Sequence, residues 1–254
     1  SSLAGVASRL AAPLAAAFSV NGIYTASEAY STLTNRLKLV TNGTAELVTA
    51  QSAVFGIAQD ARQPLTATAE LYQRIATNQK ELKLSGEGVA GIVGTISKTL
   101  AISGSSAESA NAALIQLGQA FASGVLRGEE LNSVLEQAPA LAQAIAKGMG
   151  KTVDDLRNLG EQGLLTADAV VKALQSQAGA VDALFSKMTA TIGGSLTVVG
   201  NSITRYIGEI DQMSGASGKV AGEILAAAKV IDGSLPAALD GIREHSGALV
   251  QLFT

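Results

Sequence analysis

A chain of 254 residues with no cysteine, 15% charged residues and a formal net charge of −3 carries no disulfide, thiolate nucleophile or zinc–thiolate site, and shows no clustered basic face for holding phosphates. Apolar residues make up 47% and aromatics only 4%, so the hydrophobic content is mostly Ala, Leu, Val and Ile, which suits closely packed helices better than a β-sandwich. Charge this far below the roughly 25% of ordinary soluble domains points to a protein whose surface is covered by partners.

With Ser1 in place of an initiator Met, the sequence reads as an excised or processed piece of something longer. Residues 1–21 are a predicted N-terminal apolar helix, and its run Leu10–Phe18 is shorter than the about 20 residues a bilayer span needs. No segment reads as a transmembrane helix, although Ala248–Phe253 turns apolar near the end.

From residue 22 helix signals dominate and strand alternation is nearly absent. Thr25-x-x-Glu28, Ser105-x-x-Glu108 and Thr152-x-x-Asp155 have the spacing of capping pairs, in which hydroxyl and carboxylate satisfy free N–H groups. Asn42-Gly43, Ser85-Gly86, Ser103-Gly104, Gly148 and Gly160 read as stops, and Pro64 and Pro139 stand where a new helix can begin. Ala110, Leu114, Leu117 and Phe121 share one helical face. Leu131, Val134, Leu135 and Ala138 form the next stripe, with Glu129, Glu130, Asn132, Ser133 and Glu136 opposite, and Leu141, Ala142 and Ile145 continue the core after Pro139. Residues 124–177 read as a compact sub-block of four short helices.

Over residues 192–213 the pattern changes. Ile192, Leu196, Val199, Ile203, Tyr206, Ile210 and Met213 alternate spacings of 4 and 3, the repeat of a coiled-coil seam. Ser195 and Ser202 stand where flanking charges are usual, and Gly193, Gly194, Gly200 and Gly208 each lower helix propensity by about 1 kcal/mol relative to Ala. Packing of this long amphipathic helix along the domain is favoured over self-association through the stripe. Gly215–Gly218 is the predicted hinge, and residues 215–254 hold it and two further amphipathic helices, 220–231 and 236–252. The expected fold is all-α: a domain over 22–214 of short and medium helices with one longer amphipathic helix, then a helical C-terminal tail.

Residues with chemistry to offer form no constellation. His245 is a single histidine beside Glu244, short of a metal or catalytic set. Glu129, Glu130 and Glu136 point apart around a helix, where the first two favour its dipole. Gly86-x-Gly88-x-x-Gly91, followed by Gly94, imitates a dinucleotide fingerprint, but Glu81–Ser85 before it is helical in character where that motif needs a strand. These glycines read as close helix packing or conformational softness. Arg127 sits just before a helix start and can clamp Glu129 or Glu130, a tie within the chain being favoured over contact with a partner. No catalytic, cofactor-binding or metal-ligating residue is predicted, and no enzyme activity.

The segment Gly124-Val-Leu-Arg-Gly-Glu-Glu-Leu-Asn-Ser-Val-Leu-Glu-Gln-Ala-Pro139 packs a loop, a helix and a proline restart into one stretch. It resembles the shared N-terminal domain of tape measure proteins from long-tailed bacteriophages and prophages. The likeness continues through Arg36–Thr41, Ala58–Leu65, Ile102–Gly104 to Gln116–Ala120, Leu156–Thr166 and Thr191–Gly193, in order over about residues 22–210, with departures at the Gly193-Gly194 pair and in the glycine-rich tail after Asp211, where it fades. It implies a structural assembly protein that occupies the tail-tube lumen, sets tail length while tube subunits polymerise, and leaves ahead of the genome. Implied partners are tail-tube and tail-tip proteins and tail chaperones, with no cofactor and no specific nucleic-acid binding. The implied location is the virion tail, after assembly in the host cytoplasm. Leu126, Arg127, Gly128, Glu129, Glu130, Asn132, Ser133, Glu136 and Pro139 are the family-motif residues and candidate interaction residues.

A single helix of this length would reach roughly 380 Å, but the many caps and stops predict a folded domain, with the ruler region elsewhere in the parent protein. The alternative is a membrane-active helical protein for envelope penetration or genome delivery. A mean hydropathy of +0.30 fits it, while the lack of a basic polar helix face speaks against it.

Overall fold

The computed structural model describes residues 19–126 and 128–215. Ten helices run through them: α1 Val20–Lys38, α2 Thr44–Asp60, α3 Leu65–Thr77, α4 Gly86–Ile102, α5 Ala107–Ser123, α6 Gly128–Gln137, α7 Pro139–Gly148, α8 Val153–Glu161, α9 Ala167–Phe185 and α10 Ile192–Ser214. The fold is all-α, and the one β-type pairing among the described residues is an isolated bridge between Val125 and Thr166. The chain divides into two compact units, 1–208 and 209–254, the second described only over 209–215. Most of the expected N-terminal helix, the two expected C-terminal helices and His245 lie outside the described residues.

Local hydrogen bonds decide where each helix begins. Ser19 caps α1, its Oγ accepting from the Gly22 N–H at 3.1 Å, so Thr25 falls inside the helix and donates its hydroxyl to Asn21 O at 2.8 Å. Ser106, not Ser105, caps α5 by accepting from the Ser109 N–H at 3.1 Å. Ser105 instead donates to Gln137 O at 2.8 Å, a tertiary partner that local spacing does not reveal. Ser85-Gly86 opens α4 instead of closing a helix, because Ser85 Oγ accepts from the Gly88 N–H. The expected box is complete at Thr152 and Asp155.

Gly104 takes the left-handed conformation after α4, as expected, but for α7 and α8 the left-handed residues are Gly150 and Gly163, not Gly148 and Gly160. These last two are glycine for another reason: a Cβ would overlap the Ala173 backbone at Gly148 and the Leu131 side chain at Gly160. The glycine run of α4 is, by contrast, mostly open. Nothing lies near Gly86 or Gly91, Gly94 meets Ile57 only at an ordinary 3.9 Å, and Gly88 alone is tight, against Leu84 at 3.2 Å. Close packing therefore does not explain that run.

One contiguous apolar core extends from Leu33 of α1 to Val181 of α9. Its centre is α3 with α4: α3 packs on α1, α2, α4 and α5, and α4 packs on α2, α3, α5, α7 and α9. Helix α4 can serve so many neighbours because Val89, Ile92, Val93, Ile96 and Leu100 fill one face and Thr95, Ser97 and Thr99 on its flanks are buried as well. Two of its buried hydroxyls are satisfied within the helix, Thr95 donating to Gly91 O and Thr99 to Ile96 O. The faces expected on α5, α6 and α7, from Ala110 to Phe121 and from Leu131 to Ile145, are buried as their spacing requires. Glu70 adds a half-buried ionic tie, meeting Arg74 at 2.8 Å on its own helix and Arg36 of α1 at 3.4 Å.

Helix α10 contradicts the expectation that its apolar stripe packs along the domain. Ile192 and Met213 are 77% and 81% exposed, and Leu196, Tyr206 and Ile210 are exposed as well; Val199 and Ile203 are half-buried. The face turned inward carries Gly194, Asn201, Arg205 and Gly208. The surface it meets presents a peptide carbonyl and N–H at the α2–α3 turn and the rings of Phe55 and Tyr30. A small and polar face satisfies those groups, and a row of branched aliphatics would leave the peptide groups unpaired.

Candidate functional site

The motif segment works as a junction. After α5, Gly124 turns left-handed at φ 79°, which a side chain would resist, and sends Val125–Leu126 alongside the α8–α9 connection. Two backbone bonds fasten the strands of this crossing: Leu126 N–H donates to Leu165 O at 2.8 Å and Ala167 N–H donates to Gly124 O at 2.9 Å. Leu126 is buried beneath it. On α6, Leu131 lies against Gly160, so Gly124–Pro139 and Leu156–Thr166, far apart in sequence, form one piece of structure.

The same holds at the other end of α6. Ser105 Oγ donates to Gln137 O at 2.8 Å, and Ala140 N–H donates to Ser103 Oγ at 3.0 Å. The serines after α4 thereby cap the α6–α7 corner where Pro139 occupies the first turn of α7. Upstream, Arg74 occupies the space that a side chain at Gly118 of α5 would fill. Each stretch that carried the family likeness sits at a helix end or a helix crossing.

Of the motif side chains, Asn132 and Glu136 are exposed, while Ser133 is half-buried and accepts from Gln137 Nε2 at 2.8 Å. Pro139 is exposed. Arg127 and the side chains of Glu129 and Glu130 lie outside the described residues, as does the clamp expected between them. Leu126 is thus a packing residue, and Asn132, Glu136 and Pro139 stand on a surface a partner can reach.

Chemistry is sparse among the described residues. No three His, Cys, Asp or Glu side chains gather closely enough to hold a metal ion, and no helix is long and apolar enough to cross a membrane. A cavity of about 350 Å³ lies between the α2–α3 turn, the α4–α5 turn and the start of α10, lined by Arg62, Ser105, Ser106, Thr191 and Gly194 among others, without a carboxylate. Two groups titrate away from their ordinary values, neither in that cavity. Burial, with Glu46 nearby, pushes the Tyr72 hydroxyl up. The Thr152 backbone N–H and then its hydroxyl hold the Asp155 carboxyl below the usual carboxylate range.

A family model described as tape measure protein matches residues 21–212, from the start of α1 to the last turn of α10. The chain belongs to the tape measure protein family. No curated protein and no solved structure matches it. Its role is that of a phage tail tape measure protein, located in the phage tail. In this tape measure protein Gly124, Leu126 and Leu131 of the motif segment join α5 and α6 to α8 and the α8–α9 connection.

The residues that sequence reasoning missed are those seating α10. They are Asn201, Arg205 and Gly208, which lie beside the more conspicuous apolar stripe. The available signal was an amide, a cation and a glycine at spacings of 4 and 3, a second stripe parallel to the first.

Proposed function

We propose that residues 20–214 are a folded hub of a tape measure protein that occupies the tail-tube lumen, and that length is set by extended chain elsewhere in the protein. One observation carries this: the apolar core is continuous from Leu33 to Val181 across nine helices. A segment folded back on itself so many times cannot contribute 1.5 Å of tube per residue. Exposed Asn132, Glu136 and Pro139 beside the motif junction offer a face for tail-tip proteins or tail chaperones. The outward stripe Ile192, Leu196, Val199, Ile203, Tyr206 and Ile210 offers a seam for copies of the protein sharing one tube. Since α10 spans only about 35 Å, that seam supports pairing among chains already gathered in a tail.

The test is an in-frame deletion of residues 86–185 from the phage gene, with tail length read by electron microscopy. The hub reading expects tails of normal length or none at all. Tails shortened by about 150 Å, as a fully extended helix would require, would overturn it.

A further inference from the structure

Residues 192–208 of α10 are attached to the rest of the first unit in a manner unlike any other described helix. The contiguous core ends at Val181 and includes no residue of α10. Among the described residues, polar and ring contacts hold it instead. Asn201 Nδ2 donates to Gln63 O at 2.8 Å while its Oδ1 accepts from the Leu65 N–H at 3.0 Å, both bonds being buried. Gln59 Nε2 donates to Ser202 Oγ at 2.7 Å. The Arg205 guanidinium lies 4.4 Å from the centre of the Phe55 ring, and Gly208 lets the backbone approach the Tyr30 ring. Ile207 is the one apolar side chain of α10 that is buried.

Lifting α10 away therefore removes no residue from the contiguous core. The two peptide groups that Asn201 leaves, at Gln63 and Leu65, become available to water, which can satisfy both. Ile192, Leu196, Tyr206, Ile210 and Met213 are already exposed, so the apolar surface that release uncovers centres on Ile207 and the Phe55 and Tyr30 rings. We infer that α10 is a releasable strap, which undocks from the α1–α3 face as a unit while α1–α9 stay folded. Independently of where the protein sits in a tail, the fold then has two states: strap on, and strap free to run on as separate chain.

Hydrogen exchange read by mass spectrometry on the full 254-residue chain tests this. Once undocked, a helix carrying Gly193, Gly194, Gly200 and Gly208 cannot hold itself together, so its amides exchange. In the unaltered protein, amides 196–208 should exchange faster than those of α4 and α9. Asn201→Leu should speed them a further tenfold or so, and Arg205→Ala about threefold, with α4 and α9 unchanged. Three results would overturn the inference: exchange of α10 in step with α4 and α9, either substitution raising all three or unfolding the chain, or no response of α10 to either.

Discussion

Two Gly→Ala substitutions, chemically identical, should move stability in opposite directions. Gly91 lies inside α4, exposed, with no atom within 4 Å of where a Cβ would stand. Alanine there gains helix propensity of about 1 kcal/mol. Gly148 ends α7, where a Cβ would overlap the carbonyl oxygen, carbonyl carbon and Cα of Ala173 on α9. Those are backbone atoms and cannot rotate aside. The two helices must separate, although α7 and α9 form one of the most extensive contacts in the fold. Overpacking of this kind costs about 1–3 kcal/mol, and the propensity gain at a helix end is too small to offset it. At about 2–4 °C per kcal/mol for a domain of this size, Gly91→Ala should raise Tm by a few degrees and Gly148→Ala should lower it by a few degrees or more. Thermal unfolding followed by circular dichroism decides. If both variants shift the same way, or Gly148→Ala melts no lower than the parent, the helices do not meet as described and the close approach is refuted.

Three further outcomes follow from titration and capping. Because the Tyr72 hydroxyl is held above its ordinary value, folding favours its protonated form; that contribution is whole below the unfolded value of about 10 and is lost as pH rises through the folded one. Tyr72→Phe should accordingly flatten the alkaline fall in stability, measured by denaturant melts across that range. Thr152→Ala should cost about 1 kcal/mol, the usual worth of an N-cap, with the loss seen first in the exchange of α8 amides. Asp155 shows the opposite sign to Tyr72: its lowered carboxyl stabilises above the unfolded value and loses that effect as pH falls through the folded one, so Asp155→Asn should flatten the acid limb.

The helical stripes were legible in the sequence because burial along one face leaves a period of its own. Ala110, Leu114, Leu117 and Phe121, and then Leu131 through Ile145, repeat at helical spacing and are buried. The capping box at Thr152 was legible for the same reason, since both of its bonds close within four residues. Ser105 and Ser106 show where local inference stops. Either hydroxyl can cap α5, and Gln137 O, 32 residues on, settles the choice by engaging Ser105. The junction around Leu126 was visible as a motif and unreadable as a contact, because its partners Gly160 and Leu165 lie on α8 and on the connection after it.

For this tape measure protein, the sequence alone determined the all-α class, most of the helices and the family, because those depend on propensity, on period and on ordered short segments. Only the tertiary structure decided which face of α10 turns inward. Hydrophobic spacing favoured the stripe from Ile192 to Met213, yet the surface available to α10 offers a peptide carbonyl, a peptide N–H and two rings. Asn201, Arg205 and Gly208 satisfy those groups, and apolar side chains would leave the peptide pair without hydrogen bonds. A helix carries its own pattern, but the surface it meets selects the side of that pattern that is used.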